Sequence, residues 1–383
     1  MKKAIMYGAG NIGRGFIGQV LHDSGYHVVF IDVNTRIVDA FNEAGQYTQL
    51  IANGDTLTER VIDQVSAVHG GDAAAVVEEI ATCDLLAISV GSAVLPRIAP
   101  NIANGIMERM RRTPGHPLNI LICENLAHAH EVLRELLCSV PGFDPTCLSH
   151  VGLVRTTIGR MVPALSEEMQ QIAPTTIAVE PYCELPMDLD ALVGNLQIAH
   201  AVPYSPFSFM EEKKLYIHNM GHALTAYLAN LKGYRLIWEA ISDEEIFAQT
   251  KEAMRCVAKA LAVEYDTNLA TLFSHVDDLI RRFGNHALGD PVSRVGRDPM
   301  RKLAPSDRFV GALKKCKAGG VSYEPILYGI AAALCYQGAS DDPSAGKMMA
   351  QIAADGAVAF LQSWCQLDEA DSERCAEIYE TLK

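Results

Sequence analysis

Three polar side chains able to do chemistry stand close together in the stretch Glu211 to Tyr227, EEKKLYIHNMGHALTAY. On a helix turning 100° per residue, Lys214, His222 and Asn219 fall at about 0°, 80° and 140°, sharing one wide face. Taking a proton from an alcohol needs a base, and the alkoxide that develops needs hydrogen-bond donors. Withdrawal from water disfavours an ammonium, which would give Lys214 the character of a base. The other reading is a solvated lysine beside core His and Asn groups, and spacing alone leaves both open. His218 and His222 also stand at the i, i+4 spacing of zinc ligands on a helix. Asn219 sits where H-E-x-x-H has its glutamate and no nearby Cys or Asp completes a set, so no metal site is expected.

A second stretch, Arg294 to Arg308 (RVGRDPMRKLAPSDR), holds Arg294, Arg297, Arg301, Lys302 and Arg308 against Asp298 and Asp307. In a chain whose net charge is −14, that local surplus suggests an anion site, since arginine forks suit phosphate or carboxylate. Structural ion pairs with Asp298 and Asp307 explain the same spacing equally well.

The third stretch is the first twenty residues. Lys2 to Tyr7 is an apolar run of strand length, and Gly8, Gly10 and Gly13 follow it at G-x-G-x-x-G spacing. Asn11 then opens a helical pattern of Ile12, Phe16, Ile17, Val20 and Leu21. Gly8 suits a tight turn, Gly10 a close approach of backbone to a pyrophosphate, and Gly13 close packing of helix on strand. A further apolar strand, His27 to Ile31, ends in Asp32, 19 residues beyond Gly13. An acidic group there accepts hydrogen bonds from ribose hydroxyls and repels a 2′-phosphate, so NAD rather than NADP is expected. Arg36 is the one nearby cation that could offset this.

These groups need elements to hold them. With 383 residues the chain is long for one core, and two domains are the prior. After Asp32 the pattern gives a helix around Ile37 to Phe41, a strand at Tyr47 to Ile51 and a loop at Ser66 to Asp72. It continues with a helix at Ala74 to Ile80, a strand at Asp84 to Val90, a helix at Val94 to Arg112 and a strand at Leu118 to Cys123. Such alternation predicts a Rossmann-type α/β domain with a mostly parallel sheet, and its ligands lie beyond the carboxyl ends of the strands. Gly91, Glu124 and Asn125 then sit at the functional edge. Pro186, Pro203 and Pro206 mark a change of character, and beyond them the periodicity is helical. The expected division is 1–195 for the dinucleotide domain and 196–383 for an all-α substrate domain. Within the latter, Ala345 to Cys365 reads as one helix.

The composition, 49% hydrophobic and 20% charged, is that of a globular protein, with no apolar run long enough to span a bilayer. Ten scattered cysteines without a CxxC pair suggest free thiols in a reducing compartment, and a cytoplasmic enzyme is expected. The acidic balance argues against nucleic acid or an anionic membrane as partner. A monomer or small homo-oligomer is expected.

Several separated motifs resemble one family, the polyol-specific long-chain dehydrogenases. They are GAGNIGRGFIG at Gly8 to Gly18, SVGSAVLPRIAP at Ser89 to Pro100, CENL at Cys123 to Leu126 and KLYIHNMGHALTAYL at Lys214 to Leu228. RFGN at Arg282 to Asn285 and RVGRDPMRKL with DR at Arg294 to Arg308 complete the set. The likeness runs the length of the chain. It implies an NAD-dependent, metal-independent oxidoreductase interconverting mannitol 1-phosphate and fructose 6-phosphate. The family motif K-x4-N-x2-H falls on Lys214, the general base, on Asn219 and on His222, which orients the substrate. Asn125 joins Asn219 as the oxyanion-stabilising pair. Gly8, Gly10, Asn11, Ile12, Gly13 and Asp32 take the adenosine side, Val90 and Gly91 the nicotinamide end, and Arg297, Arg301, Lys302 and Arg308 the sugar phosphate. Two positions depart from the family pattern: Gly159 stands before Arg160 where an Asp is usual, and His286 follows Asn285 where Pro is common. Both bear on the substrate pocket and leave another polyol phosphate or a sugar acid as the alternative. A non-catalytic NAD-sensing protein is the alternative of a different class.

Overall fold

The computed structural model describes residues 2–163, 173–338 and 342–383. The chain divides into two compact units, Met1–Met210 and Glu211–Lys383.

In the first unit a six-stranded parallel sheet is assembled from β1 (Lys3–Tyr7), β2 (His27–Asp32), β5 (Val65–His69), β6 (Leu85–Ile88), β7 (Leu118–Ile122) and β8 (Val151–Arg155). Their order is β5-β2-β1-β6-β7-β8, with Ile5 paired to Val29 on one side and to Leu86 on the other. Buried on both faces, the inner strands β1, β2, β6 and β7 are largely apolar runs, and their side chains go alternately to two cores. Ala4, Met6, Val28, Phe30 and Ala87 enter one core with Phe16, Val20 and Phe41. Ile5, Tyr7, Val29, Ile31 and Leu86 enter the other with Val76, Ile102 and Leu133. Helices α1 (Gly18–Asp23) and α2 (Thr35–Ala44) therefore cover one face. Helices α3 (Ala73–Thr82), α4 (Leu95–Arg112) and α5 (Ala129–Cys138) cover the opposite one. Strand order reverses at β1, so the carboxyl ends of β1 and β6 frame the crevice where doubly wound sheets bind ligands.

Two local expectations are corrected. Ser66 to Asp72 is not simply a loop, because Val65–His69 forms the edge strand β5 beside β2; Ser66 and His69 disguise an alternating VSAVH whose Val65 and Ala67 are buried. The strand at Tyr47 is real but stays out of the main sheet. As β3 (Tyr47–Asn53) it pairs antiparallel with β4 (Thr56–Ile62) and parallel with β9 (Ile177–Val179), and this small sheet packs on the glycine-rich helix. A two-stranded sheet, β10 (Leu185–Asp188) with β11 (Ala201–Tyr204), ends the strands of the unit.

Described residues of the second unit are helical apart from their connections. Its centre is the Met220–Lys232 helix, buried almost all round, as its run of Ala223, Leu224, Ala226, Tyr227 and Leu228 requires. Helices Glu244–Glu264 and Glu324–Leu334 close on it through glycines: Met254 lies against Gly221, and Leu224 against Gly329. The helix expected over Ala345 to Cys365 is broken at Gly356, whose φ of +86° ends Pro343–Asp355 before Ala357–Ser363 begins. Among the described residues no helix is long and apolar enough to cross a membrane.

Candidate active site

At the crevice, Gly8 has φ +103° and donates its N–H to Ile31 O at 2.8 Å. A Cβ on Gly8 would overlap Ser89 O, and one on Gly13 would overlap Gly8 O. Over Gly10 there is open space: it is exposed, with nothing within 4 Å of where a Cβ would stand. The backbone is open to a ligand there, whereas at Gly8 and Gly13 the α-carbons are closed off by neighbouring carbonyls. Exposed Asn11 and half-buried Ile12 follow it. Asp32 braces the loop: Oδ2 accepts Ala9 N–H at 2.7 Å and Oδ1 accepts Asn34 N–H at 2.9 Å.

Gly13–Ile17 form a π-helical turn ahead of α1, closed by Gly18 N–H on Gly13 O. The widened turn presents carbonyls sideways. Arg14 O accepts the Tyr47 hydroxyl at 2.8 Å and Gln49 Nε2 at 2.7 Å, both from β3. Gly15 O accepts Arg160 Nη1 at 2.9 Å. The buried Arg14 guanidinium returns to Ala9 O at 2.7 Å, tying the loop to its own helix. Arg14, Gln49 and Arg160 were not anticipated from sequence; the only signal was charged and amide residues inside apolar surroundings. The departure at Gly159 is one of packing, because a Cβ there would press on the Tyr182 ring at 3.1 Å.

Beyond β6, Val90 and Gly91 are held by a carboxylate from the neighbouring strand end. Glu124 Oε1 accepts Val90 N–H at 2.7 Å and Gly91 N–H at 3.0 Å. Burial raises the Glu124 pKa while these two donors oppose the rise. Glu124 thus fixes the loop, and the adjacent Asn125 is exposed at the carboxyl edge.

In the second unit, Lys213–Asn219 form another π-helical turn, with Met220 N–H on Leu215 O. The sequence reading assumed regular α-helix, which would set Lys214 and Asn219 about 140° apart. Closure over five residues brings them together: Lys214 Nζ donates to Asn219 Oδ1 at 2.7 Å and lies 3.2 Å from His218 Nδ1. His218 is buried, and burial, then the Lys214 charge, push its pKa well below the ordinary value. It faces Lys214 as a neutral acceptor. One turn on, the His222 ring stacks on Phe283, centroids 4.8 Å apart. Its Nε2 lies 3.2 Å from Asp290 Oδ2, a partner that the sequence reading missed. His218 and His222 therefore look to different partners rather than to a common centre.

The basic segment is extensively paired. Arg301 meets Asp298 at 2.7 Å and Asp307 at 3.3 Å, and Arg308 meets Asp307 at 2.8 Å. Lys302 is buried with its Nζ on Arg297 O, and burial, reinforced by Arg308 and Arg301, pushes it down to about 7. Arg297 lies between the short helices Val292–Gly296 and Pro299–Lys302. His286, the second departure, sits edge-on to Trp238.

Comparison with known proteins gives a consistent picture. Residues 2–199 match the mannitol dehydrogenase Rossmann domain and residues 206–377 the mannitol dehydrogenase C-terminal domain. A mannitol-1-phosphate 5-dehydrogenase of Caldanaerobacter subterraneus subsp. tengcongensis is 36% identical over 350 residues, covering 91% of this chain and 89% of the relative. That of Anoxybacillus flavithermus is 35% identical over 374 residues, 95% of each chain. Two solved structures share the fold over 100% of this chain. One is a substrate-free D-sorbitol dehydrogenase (TM-score 0.82, 17% identity, 93% of that chain). The other is Pseudomonas fluorescens mannitol 2-dehydrogenase in a ternary complex with NAD and D-mannitol (TM-score 0.70, 18% identity, 91% of that chain). Matched along both of its units, the chain belongs to the mannitol dehydrogenase family.

Proposed function

We propose that this chain is an NAD-dependent mannitol-1-phosphate 5-dehydrogenase, interconverting mannitol 1-phosphate and fructose 6-phosphate. The observation that carries the reading is the Lys214–Asn219 contact at 2.7 Å, a base and an amide held together by a π-helical turn with His222 next along the helix. Relatives of that name at 35–36% identity support the substrate.

The glycine loop fits a dinucleotide, with an open backbone face at Gly10 and crowded ones at Gly8 and Gly13. Bound NAD would supply a hydride acceptor, and NADH a donor. Gly10, Asn11 and Ile12 would meet the adenosine side at the pyrophosphate, with Gly8 and Gly13 shaping the turn and its packing, and Val90 and Gly91 would line the nicotinamide end. Each Asp32 oxygen already accepts one backbone N–H and keeps a second lone pair for a ribose hydroxyl, whereas a 2′-phosphate would meet its charge.

In alcohol oxidation Lys214 takes the hydroxyl proton, and in ketone reduction it returns it. Asn219 has turned Oδ1 to Lys214, so its NH2 remains to donate to the developing alkoxide. Asn125 is proposed as a second amide donor and His222 as the group that orients the substrate. Arg297, Arg301 and Arg308, with Lys302 when protonated, are proposed to attract the phosphate, the three arginines alone exceeding the charge of Asp298 and Asp307. The ten free cysteines suit the cytoplasm.

The test is NADH oxidation by purified protein with fructose 6-phosphate, beside fructose and other ketose phosphates. Turnover of fructose 6-phosphate far above fructose is expected. Preference for another ketose phosphate would move the assignment within the family. NADH binding without turnover of any of them would favour the sensing protein, and equal kcat/KM with NADPH would remove the NAD assignment.

A further inference from the structure

Asp290, in the loop ahead of the Val292–Gly296 helix, is only 8% exposed. A carboxylate taken from water is costly unless it is paired and hydrogen-bonded. Its Oδ1 accepts Arg294 Nε at 2.7 Å, and its Oδ2 lies 3.2 Å from His222 Nε2. The second approach is at ion-pair distance but out of line for a hydrogen bond, the loose geometry that catalytic contacts show before substrate binds. Phe283 fixes the plane of the ring, stacked within 13° of parallel. His222 Nε2 is fully buried while the side chain as a whole keeps 15% exposure, so what is accessible lies on the rest of the ring.

We propose that Asp290 is a positioning residue that holds His222 as the Nε2–H tautomer, leaving the Nδ1 lone pair to accept a hydroxyl of the substrate. This rests on the dehydrogenase reading above, in which His222 orients the polyol. A neutral imidazole has a single N–H, and which nitrogen carries it is set by the hydrogen bond the other edge makes. Facing the ring are Asp290 and Arg294 from the loop and helix that follow it, and Lys214 and His218 from the π-helical turn. Arg282 and His275 face His218 from the Leu269–Phe283 helix. Burial pushes His222 below the usual histidine range, with Arg294 and Lys214 adding to it and Asp290 opposing it, so the resting ring is neutral. Burial in turn opposes ionisation of Asp290, but the N–H of the neutral His222 ring and the charge and hydrogen bond of Arg294 hold it below the usual carboxylate range. Neutral ring beside a fixed anion is the arrangement that selects one tautomer.

The experiment combines 15N-histidine NMR of the full chain with kinetics of Asp290→Asn, His222→Ala and the double variant. Wild-type His222 is expected as the Nε2–H tautomer. In Asp290→Asn its titration should move down by about one pH unit, the loss of an opposite charge in contact. For fructose 6-phosphate, kcat/KM should fall about tenfold or more in Asp290→Asn and no further when His222 is already alanine. NADH affinity and melting temperature should stay close to the parent. An Nδ1–H tautomer in the wild type overturns the proposal, as does an Asp290→Asn loss that simply adds to that of His222→Ala. The wild-type spectrum needs neither variant nor turnover. If fructose 6-phosphate is not a substrate yet the tautomer is Nε2–H and changes in Asp290→Asn, the functional reading fails and the positioning stands.

Discussion

Among the described residues there are two π-helical turns, Gly13–Ile17 in the first unit and Lys213–Asn219 in the second, and they do different work. In the first, the displaced carbonyls are the point. Arg14 O and Gly15 O are met by Tyr47, Gln49 and Arg160, and Val162 and Val179 close on Gly15, so the widened turn anchors the glycine loop to a second sheet. In the second, the displaced side chains are the point: Lys214, His218 and Asn219 leave their α-helical positions and meet. The same distortion receives donors from another element in the first turn and gathers polar side chains of its own in the second, the set proposed above for proton transfer. Single π turns inside helices are frequent at functional sites, and on the proposed function the second turn is such a case while the first anchors the loop.

The sharpest way to break this contrast is Lys214→Ala. It should lower kcat by about 10²–10⁴-fold, the range for loss of a general acid–base, with NADH binding nearly unchanged. In the parent, oxidation should speed up as pH rises, because the neutral amine accepts the proton, and reduction should slow over the same range. A folded Lys214→Ala protein with near-native kcat, or with the parent's pH limb, would make the second turn structural like the first and hand the candidacy to His222.

Lys302 sharpens the comparison from another side, as a buried lysine with no π turn and a backbone carbonyl for partner. Its native pKa of about 7 lies below the 10.5 of an unconstrained lysine. Between those values the unfolded chain binds the extra proton, so stability should rise with pH from about 7 to about 10.5. The rise should be on the order of a few kcal/mol. Urea unfolding at pH 7 and pH 10 should show that rise in the parent and lose it in Lys302→Met. An unchanged slope in the variant would mean that Lys302 is not the group responsible.

Sequence carried the alternation of strand and helix, the glycine loop and the K-x4-N-x2-H set because each is a local pattern: apolar runs, fixed glycine spacing, residues within one helix. It lost β5, where Ser66 and His69 obscured the alternation of Val65 and Ala67, and it lost the break at Gly356 inside an otherwise helical run. It could not show either π turn, since the angular offset is confined to five or seven residues, too short a stretch to register in apolar periodicity. Asp290 was invisible for a further reason. It sits 68 residues beyond His222 in a loop whose composition, GNHALGDPVS, signals only turns. Long-range pairing of that kind is decided by tertiary packing, as are the ion pairs that tie Arg301 and Arg308 to Asp298 and Asp307.

The smallest effects should come from the first turn, and their pattern tests its structural character. Tyr47 and Gln49 both donate to Arg14 O, so either can serve that carbonyl when the other is gone. Tyr47→Phe and Gln49→Leu should each cost about 0.5–1.5 kcal/mol, the usual net worth of a hydrogen bond. Gln49→Leu should be the milder, since it also removes Oε1, a buried acceptor with no partner of its own. Both together strip the buried carbonyl of its side-chain donors and add its desolvation penalty, on the order of 1–3 kcal/mol. The double variant should therefore lose more than the sum of the singles, a coupling that a denaturation cycle measures directly. NADH affinity should weaken in step, because Arg14 links this carbonyl to Ala9 in the glycine loop. Strictly additive losses with unchanged NADH affinity would show that the first turn is merely tolerated by its neighbours and does not hold the loop.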